Sequence, residues 1–336
     1  PGAHPGNQIT LNKHATQGKR HPHGAHARAP LAHTKHMKIL SEEQLAQRKA
    51  MTLETLKAFI AFCQANNLKY YAAYGTVLGA ARHHGFIPWD DDIDVYMMRD
   101  DYDRYLRLMR TNPPKGYEQV EYVHDKEYYL PFAKFCNAHS TICEWTEYRI
   151  SFGNYIDVFP LDVVPDDDNE RQRYCDRMLK LRKMIAADLL RKSWANILGN
   201  ITKQSLRLTL GDISYALFRT PIRNYLVGRM ERELRAYHGT RSNHICFSSS
   251  YTSREKNLTA DIFGDGTTLP FEDISIVVPT RYEDYLVTSY GNWRQLPPVE
   301  QRVQHDVVFM DLNRKIPYRE VRKIIDKPGY NGASEQ

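Results

Sequence analysis

Apolar side chains recur at helical spacing in the segment that follows Ser41. This spacing predicts an amphipathic helix that begins after Ser41 and ends near Asn67. Ser41 and Gln44 stand three residues apart, which is typical of a capping box at the start of a helix. The apolar positions that carry the prediction are Leu45, Leu53, Leu56, Ile60 and Phe62.

Between residues 70 and 160 the apolar runs become short and are separated by Gly and Pro, which is typical of strands alternating with helices. The last strand is expected to end at Pro160, because proline has no N–H for a sheet ladder. Strands are predicted at Tyr70–Tyr74, Ile93–Met97, Phe132–Phe135 and Tyr155–Phe159, and short helices at Thr76–Arg82 and Arg99–Met109.

From Asn169 the pattern changes to long stretches of helical period, one running to about Trp194 and another from Ile213 to about Tyr237. The fold class is therefore α+β, with a mixed sheet core, flanking helices and a mostly helical C-terminal half. The expected division is a tail at 1–36, a catalytic core at 37–168, a helical subdomain at 169–240 and a C-terminal segment at 241–336 that packs on the core.

Residues 1–36 contain seven of the fourteen histidines, five basic residues and no acid, and they have almost no apolar pattern. We expect this tail to be disordered, because it cannot bury enough apolar surface to offset the entropy of ordering. The dipeptide His36-Met37 is typical of a cloning junction, so the tail is interpreted as vector-derived, with a natural start at Met37. The remaining chain has 41 basic and 40 acidic residues, which argues against nucleic-acid binding.

Composition also limits the compartment and the kind of metal site. No run of eighteen apolar residues and no apolar signal core is visible, so the default compartment is the cytoplasm. Five scattered cysteines without a CxxC pair argue against a disulfide framework and a structural zinc site. The first long helix of the second half is rich in Lys and Arg, which predicts either a solvated face or a surface for an anionic acceptor or a membrane.

The acidic cluster Asp90, Asp91, Asp92 and Asp94 is the strongest chemical signal in the chain. On a strand, residues two apart share a face, so Asp92 and Asp94 are expected to point together and Asp91 to face away. Paired carboxylates suit Mg²⁺, or Mn²⁺, which takes oxygen ligands and completes its shell with water and phosphate. A solvated acidic turn is the alternative explanation.

Two further features favour a catalytic interpretation of this cluster. Gly75-Thr76 lies at a predicted strand-to-helix turn, where backbone N–H groups and a hydroxyl can receive phosphate oxygens. Asp157 lies within an apolar strand and is the candidate for a third carboxylate, as a metal ligand or as the base for the acceptor hydroxyl. A small-residue turn, a D-x-D strand and a third carboxylate form the scheme of two-metal phosphoryl transfer in nucleotidyltransferase folds.

Three more residues are candidates for substrate binding, each with an ordinary structural alternative. Arg82 could pair with a phosphate or with the acidic cluster. Lys134, a lone cation in an apolar strand, could meet a phosphate or Asp157, or reach solvent along its stem. Trp89 could stack on a base or a quaternary ammonium group, or pack in the core.

The stretch from Tyr74 to Asp94, YGTVLGAARHHGFIPWDDDID, resembles the signature of the LicD family of phosphotransferases, which includes bacterial phosphocholine transferases and, more distantly, fukutin-related proteins. Ile156–Asp162 resembles the family's second block, and segments from Val278 to Pro298 resemble its closing block. The resemblance spans about Leu40 to Asp306. In place of the pair of histidines that often ends the closing block, this chain has His305-Asp306.

The resemblance implies transfer of a phosphorylated alcohol such as phosphocholine from a CDP-linked donor to a sugar hydroxyl of a cell-surface glycan, lipopolysaccharide or teichoic acid, or of its precursor. It also implies dependence on Mg²⁺ or Mn²⁺. We expect Asp92 and Asp94 to hold the metal, Asp157 to be a further ligand or the base for the acceptor hydroxyl, and Gly75 and Thr76 to position the phosphates. A lipid-linked acceptor would bring peripheral membrane contact. The alternatives are a nucleotidyltransferase that moves a nucleoside monophosphate and a non-catalytic glycan-binding or membrane-binding scaffold.

Overall fold

A mixed sheet with strand order β1-β2-β6-β4-β3 forms the centre of this computed structural model, and β7 pairs with the end of β6. The structure describes residues 40–144, 149–190, 221–248, 258–302, 304 and 307–330. The strands are β1 (Tyr71–Ala72), β2 (Asp94–Met98), β3 (Tyr117–Val120), β4 (Ala133–Asn137), β5 (Thr141–Cys143), β6 (Tyr155–Val163), β7 (Ile245–Cys246), β8 (Thr267–Phe271), β9 (Ile274–Val278) and β10 (Phe309–Asp311).

Helices lie on both faces of this sheet, so the described chain has a mixed α+β fold. The helices are α1 (Glu42–Ala65), α2 (Tyr74–His83), α3 (Arg99–Thr111), α4 (Asp168–Leu190), α5 (221–234), α6 (Ala260–Phe263), α7 (Tyr282–Tyr290) and α8 (Tyr318–Ile325), with a short 3₁₀ turn at Val299–Gln301. The described part of the C-terminal half thus combines helices α4 to α8 with strands β7 to β10. Within the described residues, no helix is long and apolar enough to cross a membrane.

Aromatic side chains fill the space on each face of the sheet. On one face, Phe59 of α1 meets Phe135 of β4 and Tyr105 of α3 edge-on, with ring centroids 5.6 and 5.9 Å apart. On the other face, Tyr74 of α2 contacts Tyr96 of β2 and Phe159 of β6 at 5.2 and 5.4 Å. The second face is closed by α6, α7 and the β8–β9 hairpin, which ties the C-terminal segment to the sheet.

The predicted start of the first helix is confirmed. Ser41 accepts a hydrogen bond from the Gln44 amide, and the Gln44 side chain accepts one from the Ser41 amide, which completes the capping box. The buried face of α1 differs from the predicted stripe, because it includes Arg48 and Thr52 whereas Leu53 is only partly buried. Arg48, on this face, pairs with Asp91 of the acidic cluster.

The prediction that the last strand ends at Pro160 is wrong, because β6 continues to Val163. The Asp157 amide donates to Ile93 O, so alternate amides of β6 point to β2, and the nitrogen of Pro160 lies on the opposite edge. Pairing with β4 on that edge stops at Val158, and pairing with β7 begins at Asp162. Proline is therefore tolerated, since no ladder hydrogen bond is lost there.

Several predictions fall on residues outside the described ranges. They are the disordered tail at 1–36, the ends of the two long helices at 191–194 and 213–220, and the dipeptide His305-Asp306. The boundaries of the predicted domains remain predictions.

Candidate active site

Three carboxylates converge in the turn that precedes β2. Oxygens of Asp90, Asp91 and Asp92 all lie within 4.8 Å of one another, and all three side chains are buried. Strand β2 begins only at Asp94, so Asp92 belongs to the turn. The expectation that Asp92 and Asp94 share a face, which holds for residues two apart on a strand, therefore does not apply. Asp91, which we expected to face away, lies in this group. We call Asp90, Asp91 and Asp92 the acidic turn.

Helix α1 holds the acidic turn in place through two consecutive cations. Arg48 donates to Asp91 Oδ2 at 2.6 Å, and both side chains are almost completely buried. Burial disfavours the charged guanidinium, but the nearby carboxylates, Asp91 foremost, raise the pKa of Arg48 above its ordinary value. Lys49 donates to the carbonyls of Ile87 and Pro88 at 3.1 and 2.9 Å. The loop before the acidic turn is therefore fixed at both its backbone and its side chains.

Gly75 brings the start of α2 against the acidic turn. A Cβ atom added at Gly75 would lie only 2.6 Å from Asp90 Oδ2, so no larger residue fits without displacing this carboxylate. The preceding residue, Tyr74, has φ of 43°, a left-handed conformation that is uncommon for tyrosine, and its amide donates to the Tyr285 hydroxyl at 2.9 Å. The backbone at this turn is thus held in an unusual conformation beside the carboxylates.

Thr76 links α2 to the beginning of β2. Its hydroxyl accepts a hydrogen bond of 2.9 Å from the amide of Asp94, and the Asp94 carbonyl accepts from the Ala73 amide at 2.9 Å. The strand-to-helix turn predicted at Gly75-Thr76 lies slightly earlier, at Ala73, and Gly75 and Thr76 belong to the first turn of α2. The Thr76 side chain positions Asp94, in addition to any contact it makes with a ligand.

Asp94, Asp157 and Lys134 form a row across three neighbouring strands. Asp94 lies opposite Asp157 in the parallel pair of β2 and β6, and Asp157 lies opposite Lys134 in the antiparallel pair of β6 and β4. Aligned residues on adjacent strands share a face of the sheet. The Lys134 ammonium donates to Asp157 Oδ1 at 2.8 Å, and both side chains are completely buried. The alternative in which Lys134 reaches solvent is therefore excluded.

Aromatic rings surround the ammonium of Lys134. Its Nζ lies 3.3, 5.0 and 5.8 Å from the ring centroids of Tyr155, Phe152 and Phe132. The Tyr155 hydroxyl in turn donates to the buried carboxylate of Glu144. Burial, followed by the charge of Glu144, raises the pKa of Tyr155 well above its usual value, so this hydroxyl keeps its proton.

Arg82 and Trp89 both contact residues of the C-terminal segment. Arg82 donates to Trp293 O at 2.7 Å and to the ring of His83 at 3.0 Å, and it makes no ion pair with a described aspartate of the cluster. Trp89 is partly buried and carries the guanidinium of Arg302 over its ring, 4.9 Å from the centroid. The ion pair between Arg82 and the acidic cluster, one of the two sequence-based alternatives, is therefore not observed.

Asp162, the last residue of the second sequence block, has a structural contact. It receives two hydrogen bonds from Arg99, at 2.6 and 2.8 Å, and both side chains are buried. Burial raises the pKa of Asp162, although the charge of Arg99 opposes this shift. The pair connects the start of α3 to β6.

Sequence reasoning missed Arg48, Glu144 and Arg302. A signal existed for Arg48, because a cation at a helix position in phase with Leu45 and Thr52 faces the core and requires an anion there. No comparable signal existed for Glu144, which lies at the end of a short strand, or for Arg302, whose partner Trp89 is distant in sequence.

The chemistry of the donor set fits a divalent cation. The acidic turn offers three carboxylates within 4.8 Å, and buried like charges at such distances disfavour ionisation unless a cation is near. Oxygen donors are the ligands that Mg²⁺ takes in proteins. Among the described residues, Asp94 and Asp157 do not belong to that group of three and lie instead in the adjacent row on the sheet.

Comparison with known proteins identifies the region that contains this site. Residues 67–183 match the sequence model of the LicD/FKTN/FKRP nucleotidyltransferase domain. The lipopolysaccharide cholinephosphotransferase LicD of Haemophilus influenzae is 28% identical over 269 residues, which cover 78% of this chain and 96% of that protein. An uncharacterized protein of Rickettsia typhi is 35% identical over 75 residues, 22% of this chain and 24% of its own length. An uncharacterized protein of Rickettsia prowazekii is 39% identical over 84 residues, covering 23% of this chain and 32% of its own. The acidic turn, Gly75, Lys134 and Asp157 all lie inside the segment that is similar to the LicD/FKTN/FKRP nucleotidyltransferase domain.

Proposed function

We propose that this protein transfers phosphocholine, or a similar phosphorylated alcohol, from a CDP-linked donor to a sugar hydroxyl of a cell-surface glycan or its precursor. The observation that carries the proposal is the buried acidic turn packed against Gly75 inside the LicD domain. The name of the Haemophilus relative, a lipopolysaccharide cholinephosphotransferase, supports phosphocholine as the group and a lipopolysaccharide as the class of acceptor.

The arrangement of the strands supports a nucleotidyltransferase-like core. In the two-metal scheme, carboxylates from a turn-and-strand segment meet a further carboxylate on a neighbouring strand. Here Asp94 and Asp157 lie side by side on the parallel pair of β2 and β6, next to the acidic turn. The expected set Asp92, Asp94 and Asp157, extended by Asp90, would hold Mg²⁺ or Mn²⁺. Such an ion neutralises negative charge on phosphate oxygens during in-line transfer.

Lys134 determines which role Asp157 takes in this proposal. The Lys134 ammonium holds Asp157 Oδ1 at 2.8 Å and fixes the orientation of this carboxylate. We therefore assign Asp157 to the metal ligands instead of to proton transfer. Lys134 orients Asp157, and the rings around Lys134 keep water away from this pair.

The reaction follows from this assignment. A bond forms between the sugar oxygen and the phosphorus of phosphocholine, and the bond from that phosphorus to the bridging oxygen breaks. The electron pair leaves with cytidine monophosphate, and the proton of the sugar hydroxyl passes to water. Gly75 permits the Asp90 carboxylate to lie against the start of α2, and Thr76 keeps Asp94 in place through its amide.

The test is a product analysis with CDP-choline, Mg²⁺ and a lipopolysaccharide-type sugar acceptor. We expect release of cytidine monophosphate in proportion to phosphocholine on the acceptor. Release of pyrophosphate from a nucleoside triphosphate, without such transfer, would establish nucleotidyl transfer instead.

A pair of variants separates catalysis from a scaffold role. Asp92→Asn and Asp94→Asn should abolish transfer, whereas Asp100→Asn, at an aspartate 81% exposed on α3, should retain it. Undiminished modification of the acceptor in cells that carry the Asp92→Asn and Asp94→Asn changes together would show that the protein is not the catalyst.

A further inference from the structure

Two arginines and two aromatic rings form a cluster at the edge of the acidic turn. Arg82 contacts the ring of His83 at 3.0 Å, and that ring lies 6.4 Å from the ring of Trp89. The guanidinium of Arg302 covers Trp89 at 4.9 Å. We call Arg82, His83, Trp89 and Arg302 the arginine–tryptophan cluster. Trp89 directly precedes Asp90, so the cluster borders the three carboxylates.

The two guanidiniums of this cluster have only neutral partners among the described residues. Arg82 donates to Trp293 O and the His83 ring, and Arg302 donates to Pro297 O at 3.1 Å. Each arginine has five N–H donors, so most of these remain available. Arg294, in the same segment, differs because Glu283 lies 2.7 Å from it.

The electrostatics agree with a local excess of positive charge. Burial lowers the pKa of Arg82; Tyr290 opposes this shift, and the charge of Arg302 adds to it. Burial, and then the charge of Arg82, also lower the pKa of His83. An anion placed between two half-buried cations reduces the repulsion between them. Guanidinium groups recognise phosphate through paired N–H donors.

We propose that Arg82 and Arg302 bind the phosphate of the donor that leaves with the nucleotide. The inference rests on the proposed function, because it identifies which part of the donor lies on this side of the acidic turn. The transferred phosphorus lies at the carboxylates, so the leaving phosphate, which gains negative charge as the bridging bond breaks, lies at the cations. Trp89 positions Arg302 through its ring face.

The experiment measures binding of two probes, inorganic pyrophosphate and cytidine monophosphate, by calorimetry on the full chain with and without Mg²⁺. Arg302→Ala and Arg82→Ala should each weaken binding of both probes about tenfold. Arg302→Lys should lose nearly as much, since a lysine cannot reproduce paired donation. Arg294→Ala is the matched control and should bind both probes like the parent protein.

The outcomes distinguish this inference from the proposed function. If pyrophosphate binding depends on the two arginines but no transfer from CDP-choline occurs, the phosphate site is supported and CDP-choline is rejected as the donor. Normal transfer together with unchanged probe binding by Arg302→Ala and Arg82→Ala would overturn the phosphate site and leave the proposed function standing. An equal loss in Arg294→Ala would also overturn it, because the effect would then reflect general positive charge.

Discussion

Lys134 and Asp157 form a completely buried ion pair between the strands β4 and β6, with Nζ and Oδ1 2.8 Å apart. Removal of one member of such a pair leaves a buried charge without its compensating partner. Lys134→Met should therefore lower the free energy of unfolding by about 3–5 kcal/mol, measured by urea denaturation. Lys57→Met, at a solvent-exposed pair with Asp273, is the control and should change the free energy of unfolding far less. Equal losses in both variants would show that the buried pair contributes no more to stability than the exposed pair.

The close approach of Gly75 to Asp90 predicts a functional defect from the addition of one methyl group. In Gly75→Ala the new Cβ would lie 2.6 Å from Asp90 Oδ2, so the carboxylate or the turn must move. We expect phosphocholine transfer to fall at least about tenfold, because misplacement by about 1 Å at a catalytic site is costly.

Gly228→Ala provides the matched control for this variant. Gly228 lies in α5, and the nearest atom to an added Cβ is Arg232 Nη1 at 3.8 Å. Activity should be unchanged, and stability should be equal or higher by up to about 1 kcal/mol, since alanine is favoured within helices. A loss of transfer in Gly228→Ala comparable to that in Gly75→Ala would contradict the proposed role of the Gly75 contact.

Metal removal is expected to abolish transfer. Chelation by EDTA followed by dialysis should leave an inactive protein, and Mg²⁺ or Mn²⁺ should restore activity, because carboxylate oxygens prefer such ions. Asp92→Asn should raise the half-saturating Mg²⁺ concentration and lower the rate of transfer. Full activity after exhaustive chelation would reject the assignment of metal ligands.

Alkaline pH should destabilise the fold partly through Tyr70. Burial raises the pKa of Tyr70 to about 12, whereas an unfolded tyrosine ionises near its ordinary value of about 10. Between these values the unfolded chain has released a proton that the folded chain retains, so the free energy of unfolding falls as pH rises. Between pH 10 and pH 12, the free energy of unfolding of Tyr70→Phe should fall by about 1–2 kcal/mol less than that of the parent protein. Superimposable pH profiles of the two proteins would contradict this attribution.

Features that depend on neighbouring residues in sequence were predictable. The capping box of Ser41 and Gln44 needs only three-residue spacing, and a strand-to-helix transition close to Gly75 follows from a glycine after a short apolar run, although the helix begins at Tyr74. The strand around Asp157 was also recognisable from its apolar neighbours.

Features that depend on strand partners were not predictable in the same way. Whether Pro160 ends a strand depends on which edge its nitrogen faces, and that is decided by the positions of β4 and β7. The direction of Asp91 depends on Arg48, which lies in a helix far earlier in the chain. Strand parity applies only inside a strand, and β2 begins after Asp92.

The position of β6 in the sheet has a consequence for how activity is gained and lost. Its two edges are covered by β2 on one side and by β4 and β7 on the other, so Asp157 lies on an element that is released only when the whole sheet opens. Fraying at the ends of the chain would leave the row of Asp94, Asp157 and Lys134 intact. Inactivation on heating should therefore coincide with cooperative loss of the sheet, and recovered activity after refolding reports that its central pairing is complete.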